Sequence, residues 1–121
     1  MSYMLLIIEP VDQRATRNEV EGREAYAQMQ RFGEALAAEG KLLAVESLAS
    51  SASAVRVSQA PGQPSLRDGP FAEAKEMIGG FFLLQNVGRE EAIAWAQRCP
   101  AAQWATVEVR GLAPCFDESL A

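Results

Sequence analysis

The sequence contains no histidine among its 121 residues. That absence removes imidazole acid–base catalysis, Ser-His and Cys-His nucleophile pairs, and most zinc and iron sites. Any proton transfer falls to Asp, Glu, Lys, Tyr, Cys or a bound water. Cysteine is scarce: Cys99 and Cys115 stand outside any C-x-x-C spacing, and both read as free thiols. Long apolar runs are missing, since the longest, Met4 to Ile8, falls far short of the ~20 residues that a bilayer span needs. No membrane association is therefore expected. No basic segment leads into an apolar stretch with a small-residue cleavage site, so the expected location is the cytoplasm. Clustered positive charge is also lacking. Eleven basic against 16 acidic side chains give a net charge of −5, the wrong sign for a partner made of phosphates, and no nucleic acid is expected. Finally, there is no P-loop, no G-x-G-x-x-G, no G-x-S-x-G and no D-x-D-x-D-G loop, which leaves no visible seat for a cofactor or metal.

What is present suits one ordinary domain. Apolar residues make up 49% and charged residues 22%, enough for a core without staples. Tyr3–Ile8 (YMLLII) and Phe81–Leu84 (FFLL) are continuous apolar runs, the pattern of strands covered on both faces. Thr16-Arg17-Asn18-Glu19 has the T-x-x-E spacing of a capping box, and a helix is expected to about Ala38. Its inward stripe is Tyr26, Met29, Gly33 and Leu36, with Phe32 beside it, and Gly40 stops it. Lys41–Leu48 is a further strand candidate. Ser53–Ser58 (SAVRVS) alternates strictly, and Ala60-Pro61-Gly62-Gln63-Pro64 is a turn that closes a hairpin through Leu66 and Arg67. A helix over Arg89–Cys99 turns Ala92, Ile93, Ala96 and Cys99 inward before Pro100, and Trp104–Arg110 alternates as a last strand.

With the hairpin taken as an insertion, the order is βαββαβ, the ferredoxin-like pattern of an α+β fold. Its interior strands are the first and third, which are the two apolar runs. The domain covers residues 1–112, and 113–121 form a tail without periodicity. Helices in this pattern cover one sheet face only. The other face of the apolar strands then needs a cover, and the natural one is a second copy, so a homodimer packed sheet to sheet is expected.

The stretch DGPFAEAKEMIGGFFLL reads locally as a turn at Asp68-Gly69-Pro70, a short helix within Phe71–Met77, and a glycine pair that allows a break or close approach before the strand. With MSYMLLI at the start and RCPAAQWATVEVRGL near the end, it resembles the DGPF group of the YCII-related proteins. The resemblance covers Tyr3 to about Leu112. It implies a dimeric α/β-barrel built from ferredoxin-like protomers, in a group mostly of unknown function. It also implies a regulatory setting, with a functional link to an extracytoplasmic-function sigma factor. Two departures stand out. Relatives thought to use a His-Asp pair in their cleft have a histidine that this chain lacks, and Trp104 occupies the place where DGPF sequences tend to carry one.

Asp68 is the lead catalytic candidate, since a carboxylate at the end of an arm can act as acid or base. The competing role is to hydrogen-bond amides of the turn. Glu73 and Glu76, three apart on the expected short helix, share a face on which Lys75 can pair with either or hold an anionic ligand; a solvated first turn explains the same residues. Arg56, Glu108 and Arg110 lie opposite the apolar positions of their strands and suit ligand binding, an ion pair or solvent. Tyr3 and Trp104 can roof a pocket or simply pack. Glu9 is a further acid at the mouth of the first strand. Two functional readings lead: a small-molecule-binding or regulatory accessory dimer, and a cofactor-free lyase or isomerase in which Asp68 moves a proton on a small carboxylated or oxygen-rich substrate. A structural dimer without a ligand is a third.

Overall fold

A computed structural model describes residues 2–116, so of the expected tail residues 117–121 lie outside the described part. The elements run β1 (Tyr3–Pro10), α1 (Glu19–Ala38), β2 (Leu42–Ser47), β3 (Val55–Ala60), β4 (Gln63–Asp68), β5 (Glu76–Leu84), α2 (Arg89–Arg98) and β6 (Thr106–Gly111). Four strands form one antiparallel sheet in the order β2-β5-β1-β6, while β3 and β4 pair only with each other as a ribbon. The two apolar runs are the two interior strands, as their pattern requires. The arrangement is the βαββαβ order with an inserted hairpin, compatible with a ferredoxin-like fold. No helix among the described residues is long and apolar enough to cross a membrane.

Both helices lie on the sheet face that carries Leu5, Ile7, Phe82 and Leu84. Phe32 and Leu36 of α1, Ala92, Trp95 and Ala96 of α2, and Cys99 just past it complete that core. Phe32 meets Phe82 and Trp95 edge to face, with ring centres 5.1 and 6.0 Å apart, the geometry that ring quadrupoles favour. Trp95 lies outside the expected inward set yet is buried, because its indole N–H finds Glu91 at 3.3 Å. The opposite face presents Met4, Leu6, Ile8, Phe81 and Leu83, half-buried, with Ile78 48% exposed.

Three local expectations are corrected. The cap of α1 is Asn18, not Thr16. Asn18 Oδ1 accepts from Glu21 N (2.8 Å) and Glu21 Oε1 accepts from Asn18 N (3.0 Å), a reciprocal box two residues later than expected. The Thr16 hydroxyl is engaged elsewhere, donating to Gln13 O at 2.6 Å to close a 3-10 turn. The short helix within Phe71–Met77 does not form. One turn closes at Ala74 N to Phe71 O, and Val11 N then takes Lys75 O at 3.1 Å, drawing Glu76 and Met77 into β5 beside Pro10 and Glu9. Glu73 and Glu76 therefore share no helical face. The glycine pair lies inside β5 rather than ahead of it, at the register shift opposite Ile7 and Ile8.

Candidate functional site

Why two glycines should interrupt a central strand is answered by what lies against them. A Cβ on Gly79 would overlap Oε1 of Glu9, and one on Gly80 would press on the backbone oxygen of Glu46. Removing the side chain at the bulge makes room for a carboxylate. Glu9 is the last residue but one of β1, on the helix-covered side, and is 7% exposed, the buried charged residue of the core among the described residues. A buried carboxylate needs a partner. Arg14, in the 3-10 turn just past the strand, supplies a two-pronged one: Nη2 donates to Oε1 at 2.8 Å and Nε to Oε2 at 3.1 Å. The same guanidinium donates to Leu48 O (2.8 Å) and Gly79 O (3.3 Å), tying β1 to β5 and to the residue that follows β2.

This ion pair forms the floor of a cleft of about 750 Å³ that runs beneath α1, between the helix and the β2 side of the sheet. Met29, Leu42, Val45 and Phe82 give it apolar walls, and Gly33 of α1 lies close to the Phe82 ring. Tyr26 reaches the cleft instead of the core and stays 55% exposed. At one end Arg17 lies over the Trp104 ring, 5.5 Å from its centre, an arrangement favoured by the ring's negative face. Gln13 Nε2 fixes the Trp104 carbonyl at 2.6 Å, while its Oε1 is buried without a partner among the described residues.

A second cluster sits at the root of the ribbon. Phe71 is buried there, with Arg56 stacked 3.8 Å and Arg67 5.6 Å from its ring centre. Glu73 accepts from Arg67 at 2.9 Å and lies 3.6 Å from Arg56. Its carboxyl is held below the usual value, first by its own backbone hydrogen bond and then by Arg67. Arg56 and Glu76 also border a hollow of about 620 Å³ with Ile8, Phe71 and Ile78.

The model of the YCII-related domain matches residues 1–115. The chain belongs to the YCII-related family. It is similar to an uncharacterised protein of Rhizobium meliloti (strain 1021), 37% identical over 76 residues that span 61% of this chain. The match likewise spans about three fifths (61%) of that relative's length.

Within this YCII-related fold the sequence-derived candidates are scattered. Arg56 and Glu73 meet at the ribbon root. Asp68 ends β4 close by, exposed, and borders neither cavity described above. Lys75 is exposed and takes no salt bridge among the described residues, and Glu76 is exposed on β5. Glu108 pairs with Arg110 at 3.5 Å on the open sheet face. The Tyr3 ring lies against Gly111 at the other end of β1 from the cleft. Arg14 was not among them. The usable signal was an acid closing an apolar strand, followed five residues later by an arginine. Among the described residues no group of three or more His, Cys, Asp or Glu side chains is placed to hold a metal ion.

Proposed function

We propose that this protein is a small-molecule-binding dimer of the DGPF group with a regulatory or accessory role, and that its ligand occupies the cleft beneath α1. The observation that carries this is a cleft of ligand size, about 750 Å³, with apolar walls and one ion pair, its carboxylate buried, on its floor. A few fixed polar groups in an apolar hollow orient a ligand while the walls supply the burial. The homodimer half draws support from the open sheet face, where Met4, Leu6, Ile8, Phe81 and Leu83 form an apolar strip margined by Glu108 and Arg110. The link to an extracytoplasmic-function sigma factor goes with the DGPF resemblance and the regulatory role.

A catalytic reading, a lyase or isomerase with Asp68 as its acid or base, draws support from one feature. The Asp68 side chain makes no hydrogen bond among the described residues, so capping the turn does not occupy it. Arg56, Glu73, Lys75 and Glu76 would then surround the ligand at the ribbon root, with Tyr3 and Glu108 contributed across a dimer. Loss of turnover in Asp68→Asn is the expected sign.

Native mass spectrometry of freshly purified protein tests the leading proposal. A dimer carrying added mass is expected, and Val45→Trp, which fills the cleft from the edge strand, should lose the added mass and keep the dimer. Retention of that mass in Val45→Trp would move the ligand elsewhere. A monomer at micromolar concentration would end the dimer proposal.

A further inference from the structure

Glu9 is the group in the cleft whose bonding is half complete. An ionised carboxylate offers about four acceptor directions. Arg14 uses one on each oxygen, and no other donor reaches them among the described residues. Arg14 is in the reverse position: of its five N–H groups, Nε, both on Nη2 and one on Nη1 are committed, to Glu9, Gly79 O and Leu48 O. The floor of the cleft therefore has acceptor capacity to spare and almost no donor capacity.

The charge around it narrows the ligand further. Glu9 and Arg14 cancel locally, Glu19 is engaged by Arg23 at 2.7 Å, and Arg17 is offset in sign by Glu34, so neither sign of charge meets a one-sided field. A cation meets Arg14 and Arg17, and an anion meets Glu9 and Glu34. A neutral donor satisfies an open lone pair without bringing a new charge into an apolar hollow. We propose that the cleft selects uncharged, largely apolar ligands that present a hydroxyl or N–H group to the Glu9 carboxylate. Gly79 and Arg14 are the positioning residues, one giving the carboxylate its room and the other its orientation. This rests on the cleft being the binding site.

Three probes of one shape test it on the intact protein by calorimetric titration: 2-naphthol, which donates; 2-methoxynaphthalene, which does not; and 2-naphthoate, which is charged. Hydrogen bonds to charged groups predict that naphthol binds about tenfold or more tightly than the methoxy compound, with naphthoate weakest. In Glu9→Gln the naphthol advantage should shrink to below about threefold, because the acceptor becomes neutral, while methoxynaphthalene binds as before. If Glu9→Gln does not fold, the carbon-13 shift of the Glu9 carboxyl in the wild type replaces it, and it should move with naphthol only. Equal binding of naphthol and methoxynaphthalene would overturn donor selection while leaving the cleft as the site. A naphthol preference that survives Glu9→Gln, or leaves the carboxyl shift unmoved, would overturn the role of Glu9. Binding of none of the three would remove the cleft as the site, and donor selection with it.

Discussion

Two arginine–carboxylate clusters hold different parts of this protein, and their surroundings make them unlike. At the cleft floor, Glu9 is buried and Arg14 ties it to β5 and to the residue that follows β2. At the ribbon root, Arg67 and Glu73 are both more than half exposed, so water competes for every charge. Coulomb attraction at equal distance is several times stronger away from water, but so is the penalty for a charge left alone. The N···O distances are nearly the same, 2.8 Å in one cluster and 2.9 Å in the other. Distance therefore does not rank these pairs. Burial does, and it makes the first cluster part of the fold and the second an attachment.

The comparison breaks most sharply at Gly79. Gly79→Val would drive a side chain into the seat of the Glu9 carboxylate, and loss of the folded state at 37 °C, or at least about 3 kcal/mol by urea titration, is expected. Arg14→Met leaves Glu9 without its counter-charge. Because a third of the Arg14 side chain is already wet, the expected loss is about 2–4 kcal/mol, at the low side of the range for buried pairs. The matching change at the ribbon, Arg67→Met, should shift the global midpoint too little to resolve. A loss there as large as that of Arg14→Met would show that burial was the wrong criterion.

Acid sharpens the same contrast. Glu73 titrates below its usual 4.5, so its contribution is present above that value and is lost as pH falls through the lowered one. Any difference between wild type and Glu73→Gln should thus be found at neutral pH and vanish well below 4.5. The mildest probe uses the two thiols. Cys99 is buried, and that burial pushes its thiol up to about 11, whereas Cys115 is exposed. With a disulfide reagent at about pH 8, one thiol per chain should react promptly and the second only on unfolding. Two fast thiols would mean that the α2 core opens readily.

Much of the fold was legible because its signals are local. YMLLII and FFLL mark interior strands by being apolar at every position, and both lie in the middle of the sheet. The alternation of Val55, Arg56 and Val57 marks the ribbon, and Gly62 supplies the positive φ of its turn. Two capping sequences overlapped, T-x-x-E at Thr16 and N-x-x-E at Asn18, and local chemistry could not choose between them. The 3-10 turn that captures the Thr16 hydroxyl decided it. Likewise AEAKEM has the composition of a helix, but pairing with β1 holds its last residues as strand.

The candidate site was less legible, for a physical reason. A cleft is made by groups distant in sequence, and Arg14 meets the Gly79 carbonyl across a separation of 65 residues. Nothing in DGPFAEAKEMIGG announces that its glycines make space for an acid at residue 9. By itself the sequence determined the class of fold, the two central strands, the existence of a long first helix ending near Ala38 and the exclusion of histidine chemistry, because each depends on near neighbours or on composition. The tertiary structure alone decided that Glu9 is buried, that Arg14 answers it, and that both border a cleft. Those facts depend on the register of β1 against β5, and register is set by how whole faces pack rather than by any one residue.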